Sequence, residues 1–413
     1  MGSAQTIKLL AVMEPKTVTG AAKNMLDFCR FARDINETLP GSTIIETSIV
    51  TFERGRNSQT GRRDEGNMPS SLEPPNEFVK AARALGLEVD IIPERFRFDL
   101  RVIPSLREAI ERRAPDIVLT HHVKSHFLMK MSRLWQKYHW VAFHHGYTKT
   151  HFREHLYNRM DRLSLPTANR VITVCEAFAR ELAGAGVSRE RINVQHNSIR
   201  PERTASAEEA QAIKAKFAIE EGEPLVLAIG RLSSEKAHID LLNAFHHLQS
   251  NASEPSAKLI IVGDGPERER LEAAARSLGL DGHVHFAGQI SDVKPYYAAA
   301  DLLVLPSHSE GSPYVLLEAM AAKVAIVATA VGGVPEMVED EESALLVPPR
   351  DPRAMAAAII RVLKDAELAR KLVANASALI ATRYSPETYV RSLIEIYRRV
   401  MSNATGAEAS QPS

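Results

Sequence analysis

The chain has 413 residues, too many for one comfortable core, so two or three domains are expected. Its 51 Lys and Arg balance 51 Asp and Glu, and 45% hydrophobic with 25% charged residues is ordinary for a globular enzyme. That neutrality gives no pull toward nucleic acid, and no basic block resembles a nucleic-acid arm. Two cysteines, Cys29 and Cys175, exclude a disulfide framework and fit a reducing compartment. The amino terminus lacks a basic region followed by an apolar stretch and cleavage site. No run reaches the roughly 18 apolar residues of a spanning helix. A cytoplasmic protein is expected, with peripheral contact at the inner face of a membrane left open.

In chain order, strands are expected at 7–13, 43–52, 88–92, 116–120, 140–144, 170–174 and 192–195. Helical patterns lie between most of them, at 21–35, 76–85, 100–113 and 176–185. A second series of strands follows at 225–229, 258–262, 284–286, 302–305, 325–328 and 344–347, again with helices between. Continuous apolar strands alternating with helices predict parallel sheets covered on both faces, hence two doubly wound α/β domains. The boundary is expected within 199–224, giving a first domain 1–200 and a second 201–385. The polar stretch 53–75 reads as a long mobile loop. Near the end, Tyr389, Leu393, Ile396, Tyr397 and Val400 share one helical face, and 403–413 reads as a disordered tail.

The strand 225–229 runs into Gly230-Arg231-Leu232-Ser233-Ser234-Glu235-Lys236. Ligands of doubly wound folds collect beyond the carboxyl ends of strands, where a glycine lets the chain turn and two cations converge on a diphosphate. Arginine would clamp oxygens in a planar fork, and lysine would supply a point charge. Alone, the motif reads as readily as a solvated turn. The strand 302–305 leads to Glu310-Gly311-Ser312-Pro313-Tyr314-Val315 and, inside a helix, Glu318. Pro313 suits the first turn, so the N–H groups of Ser312–Val315 would form an anion site. A carboxylate beside that site fits a ribose or sugar hydroxyl better than phosphate.

Gly-Arg-x4-Lys, Val262-Gly263-Asp264-Gly265-Pro266, Glu310 to Glu318 and Val331-Gly332-Gly333-Val334-Pro335-Glu336, in that order, resemble the retaining glycosyltransferases of family 4, or glycosyl transferases group 1. The resemblance implies a GT-B fold: two facing Rossmann-like domains with a C-terminal helix crossing back to the first. It implies a retaining, metal-independent hexosyltransferase that takes a nucleoside diphosphate sugar, UDP- or GDP-linked, as substrate and needs no cofactor. Arg231 and Lys236 would hold the diphosphate, Glu310 would lie near the transferred sugar, and Glu318 would bind ribose. Backbone around Gly311, Ser312, Pro313, Tyr314 and Val315 would cap the phosphate, and Gly288-Gln289-Ile290 would read the base. In the first half, Gly20 matches one glycine of the family's usual pair. His145, with His144 as the alternative, matches the histidine that approaches the reacting sugar. The acceptor and the oligomeric state stay open, with polysaccharide, lipopolysaccharide or glycoconjugate synthesis as the setting.

Two rival readings keep the fold: a sugar-nucleotide epimerase, which would need no acceptor, and a non-catalytic nucleotide-sugar-binding protein. No metal is expected. His122 with His126, and His151 with His155, stand at helical spacing, but no glutamate or cysteine pair completes a site.

Overall fold

A computed structural model describes residues 6–15, 17–18, 20–38, 43–54, 76–146, 152–200, 205–250 and 256–408. The chain divides into two units, one of Met1–Gln195 with Pro386–Ser413 and the other of His196–Ser385.

The first unit holds seven strands: β1 (Thr6–Val12), β2 (Ile44–Glu53), β3 (Glu88–Pro93), β4 (Ile117–Thr120), β5 (His139–His144), β6 (Arg170–Thr173) and β7 (Ile192–Val194). They lie in the order β3-β2-β1-β4-β5-β6-β7, with every pairing parallel. Alternation along β1 sends Ile7, Leu9 and Ala11 to one core and Leu10 and Val12 to the other, so both faces of the sheet are covered. The helix Pro386–Glu408 completes the first core. Its Tyr389, Leu393, Ile396, Tyr397 and Val400 are buried there, with Phe28 edge-on to Tyr397 at 6.2 Å. Each such fully buried side chain stabilises the unit by about 1.5–3 kcal/mol. The helix runs to Glu408, past the expected start of the tail at 403, and 409–413 lie outside the described residues. Of the expected loop, Glu53 ends β2 and Arg54 bonds Glu94 at 3.0 Å, while 55–75 lie outside the described residues.

The second unit holds β8 (Leu225–Ile229), β9 (Lys258–Val262), β10 (Val284–Gly288), β11 (Leu302–Leu305), β12 (Ala325–Thr329) and β13 (Leu345–Val347). Their order is β10-β9-β8-β11-β12-β13, again parallel throughout. These are the two Rossmann-like sheets of a GT-B fold. The division falls before His196, a little ahead of the expected 200/201. Local bonds explain why: Asn197 N–H donates to Ser312 Oγ at 2.9 Å, and Ile199 N–H to the Tyr384 carbonyl at 3.0 Å.

Candidate active site

In each sheet the strand order reverses between two neighbours, β1 and β4 in the first unit and β8 and β11 in the second. The crossovers leave those two strands in opposite directions, which opens a crevice beyond their carboxyl ends. In the second unit this crevice collects the motifs. Gly230 closes β8, and its N–H donates to the Val262 carbonyl at 3.0 Å. Arg231 follows with its side chain exposed. The short helical turn Ser234–Lys236 then aims the Lys236 ammonium at the β11 loop, where it donates to Glu310 Oε1 at 2.7 Å. Glu310 is 6% exposed, so its charge is compensated by Lys236 and by a bond from Ser307 Oγ at 2.6 Å. Residues separated by 74 positions are thereby placed on one ion pair.

The loop beyond β11 is held from behind. Thr329 Oγ1 donates to the Ser307 carbonyl at 2.5 Å, and His308 N–H to the Glu235 carbonyl at 2.8 Å. His308 Nε2 meets Asp240 Oδ2 at 2.7 Å, fastening this loop to the first turn of the helix His238–Gln249. Pro313 stands at the N-cap of the helix Tyr314–Ala322, one position earlier than expected, and no side-chain cap bond is made there. The helix presents its positive dipole end there, which suits an anion. Ser312 is fixed beside that end by Asn197. Its hydroxyl accepts from the Asn197 N–H, and its carbonyl accepts from Asn197 Nδ2 at 2.6 Å. Glu318, inside the helix, accepts from the Tyr297 hydroxyl at 3.1 Å. Burial pushes the Tyr297 phenol well above its ordinary range, so it stays a donor.

Two glycines of the motif act by close approach. A Cβ on Gly263 would lie 1.9 Å from the Gly230 carbonyl oxygen, and one on Gly332 would lie 1.8 Å from the Glu310 carbonyl oxygen. Gly288 belongs to this packing too, since its carbonyl accepts from Gly263 N–H at 2.8 Å, leaving Gln289 exposed and Ile290 against the core.

The first unit carries Gly20 and the histidines. Gly20, at φ 52°, starts the helix Ala21–Thr38 after β1. His121 follows β4 and stacks on Phe143 at 4.5 Å and on His145 at 5.9 Å, the planes within 16°. Burial holds His145 down to about 3 and His144 and His122 to about 4, with His121 well below 6.5. All four are therefore neutral imidazoles near pH 7. His144 is 3% exposed and edge-on to Phe178, whereas His145 keeps part of its surface open.

His122 is the extended N-cap of the helix Val123–Met131, and His126 is engaged by Asp161 at 2.5 Å and the Thr120 carbonyl at 3.3 Å. His151 and the His155 side chain lie outside the described residues. Among the described residues no group of three metal-ligating side chains occurs.

Sequence reasoning missed Ser307, His308, Asp240, Thr329 and Tyr297, which brace the motif residues. It also missed wholly buried Lys124, bonded to Glu14 at 3.0 Å and to Glu94, with its ammonium 3.8 Å from the Phe52 ring centre. Ser307 and His308 stood in the motif's own segment; the others carry no signal short of the tertiary fold.

Residues 48–203 match the family model described as Glycosyltransferase Family 4, and 209–379 match the one described as Glycosyl transferases group 1. Together they span most of the chain. This protein belongs to glycosyltransferase family 4. Relatives include an uncharacterized glycosyltransferase of Methanocaldococcus jannaschii, 29% identical over 59% of this chain. Another is the 2-deoxystreptamine N-acetyl-D-glucosaminyltransferase of Streptomyces fradiae, 32% identical over 60% of this chain. The matched stretches span 63% and 60% of those two proteins, under two thirds of each. The family fold is shared with Anabaena HepE, solved in complex with UDP, at a TM-score of 0.77 and 18% identity, covering 95% of this chain and all of that one.

Proposed function

We propose that this family 4 protein transfers a hexose from a nucleoside diphosphate sugar to an acceptor hydroxyl in glycoconjugate synthesis, with retention at the anomeric carbon and without a metal. The observation that carries this reading is the Lys236–Glu310 pair, 2.7 Å apart, where β8 and β11 end. A phosphate-binding cation and a hydroxyl-binding carboxylate there suit the two ends of a sugar nucleotide. A structural neighbour and a relative support the donor class: HepE was solved with UDP-glucose, and the Streptomyces protein is a 2-deoxystreptamine N-acetyl-D-glucosaminyltransferase.

Arg231 and Lys236 hold the diphosphate and stabilise the charge that develops as the bond from sugar C1 to phosphate oxygen breaks. The first turn at Tyr314 and Val315, with Gly311 and Ser312 before it, caps the phosphate. Glu310 orients the sugar, Glu318 the ribose, and main chain at Gly288–Ile290 the base. The acceptor oxygen bonds to C1 on the face the phosphate leaves, and its proton passes to the departing phosphate oxygen. The first unit takes the acceptor, with His145, a neutral imidazole, as a polar partner of a hydroxyl and Gly20 opening the helix after β1.

The test is turnover and product anomer with UDP- and GDP-sugars. Lys236→Ala and Glu310→Ala are each expected to lower turnover about a hundredfold or more, with the product keeping the donor's anomeric configuration. Full activity in both variants would remove the proposed site, and an inverted anomer would remove retention.

A further inference from the structure

The helix Arg268–Ser277 opens beyond the carboxyl end of β9, between two segments that the proposed function gives to the nucleotide. On one side its entry is bonded to the loop that carries Arg231. Leu232 N–H donates to the Asp264 carbonyl at 3.0 Å, and Glu267 N–H donates to the Leu232 carbonyl at 2.9 Å. A Cβ on Gly265 would lie 2.3 Å from that same Leu232 oxygen, so the two segments touch backbone to backbone. On the other side is the end of β10. A Cβ on Gly288 would lie 3.4 Å from Arg268 Nη1, which puts the guanidinium against the main chain proposed to read the base.

Two carboxylates set the direction of that guanidinium. Arg268 Nε donates to Glu272 Oε1 at 2.9 Å, one turn further along the helix, and Nη1 stands 3.6 Å from Asp264 Oδ2. The side chain is 32% exposed, which leaves it within reach of a ligand. Asp264 is itself engaged, because its Oδ1 accepts from the Gly265 N–H at 2.7 Å. What this corner offers a base is therefore donors: a guanidinium has N–H groups only and no acceptor. Bases differ in what they present to such a group. Uracil carries O4 and guanine O6, both acceptors, where cytosine carries an N4 amino group and adenine an N6 amino group, both donors. A guanidinium bonds the first two and meets the others donor to donor. Gln289, exposed beside Gly288, has both donors and an acceptor and so discriminates against neither kind.

We propose that Arg268 selects the donor nucleotide by its base, favouring a keto base, uracil or guanine, over an amino base, cytosine or adenine. This rests on the reading of Gly288–Ile290 as the place where the base lies. The test is calorimetric titration of the full chain with two matched pairs, UDP against CDP and GDP against ADP. In the ring size that binds, the keto nucleotide is expected to bind at least about tenfold more tightly than its amino counterpart. Arg268→Gln should erase that ratio by weakening the keto nucleotide, and Arg268→Lys, which keeps a charged donor, should retain part of it. Matching thermal melts would establish that both variants fold. Lys236→Ala should weaken every nucleotide alike and leave the ratio in place. Equal binding within both pairs, tighter binding of the amino nucleotides, or a folded Arg268→Gln variant that keeps the ratio or weakens all four alike would overturn the proposal and leave the sugar-nucleotide reading standing. Failure of the unaltered chain to bind any of the four would remove both.

Discussion

Glu310 is a nearly buried carboxylate held by two donors, Lys236 and Ser307. Removing either donor leaves a charge that the other must hold alone, and bonds to charged groups are worth about 1.5–3 kcal/mol. Ser307→Ala is therefore expected to reduce kcat/KM about tenfold while leaving the Lys236–Glu310 pair in place. Steady-state kinetics with the preferred donor would check this, and an unchanged kcat/KM would mean that Ser307 does not position Glu310. The motif spacing singled out Arg231, Lys236, Glu310 and Glu318 as candidates, and the family resemblance supplied their expected roles. Ser307 was not legible, because a serine after a strand looks the same whether it braces a carboxylate or faces water.

At the scale of elements, the loops after β8 and β11 are held by backbone contacts that admit no side chain. Gly332, at φ 54°, sits against the Glu310 carbonyl, and a Cβ there would have nowhere to go. Gly222, at φ 80°, lies before β8 with no atom within 4 Å of the corresponding point. Gly332→Ala is expected to cost about 2–4 kcal/mol and most of the activity, against about 1 kcal/mol for Gly222→Ala with activity retained. Denaturant melts and turnover of both variants decide it. Equal costs would show that the approach at Gly332 is loose. The sequence marked both glycine motifs as part of a pattern, and it had no means of saying which carbonyl each one faces. The strands themselves were legible throughout, since strands buried on both faces read as unbroken apolar runs.

Over the whole molecule, the buried neutral histidines make stability depend on pH. His122, His144 and His238 are held to about 4 and His145 to about 3, chiefly by burial, against 6.5 in an unfolded chain. Each folded value is depressed, so below about 6.5 the unfolded chain takes up protons that the folded chain refuses. Stability is then expected to fall as pH drops from 6.5 toward 4, by up to about 1.4 kcal/mol per pH unit for each proton, and to gain nothing from these groups above 7. Denaturant midpoints at pH 7.5, 6.5, 5.5 and 5 would reveal the slope, and His145→Gln should make it shallower. A flat profile from pH 7 to 5 would refute the burial of these imidazoles.

The amino-acid order alone determined the two parallel-sheet domains and the amphipathic last helix, and it singled out four charged residues as candidates. Each of those depends on local periodicity or on residue type at short spacing. Tertiary structure alone decided that Lys236 and Glu310, 74 positions apart, share one ion pair. It also decided that Asn197 occupies Ser312 and ends the first unit early, and that His121 stacks against His145. It left the side chains at 156 and 163 on a solvent-exposed face that periodicity would have assigned to a core as readily. Contacts between distant segments are set by how sheets and helices pack, and no short window of sequence contains both partners.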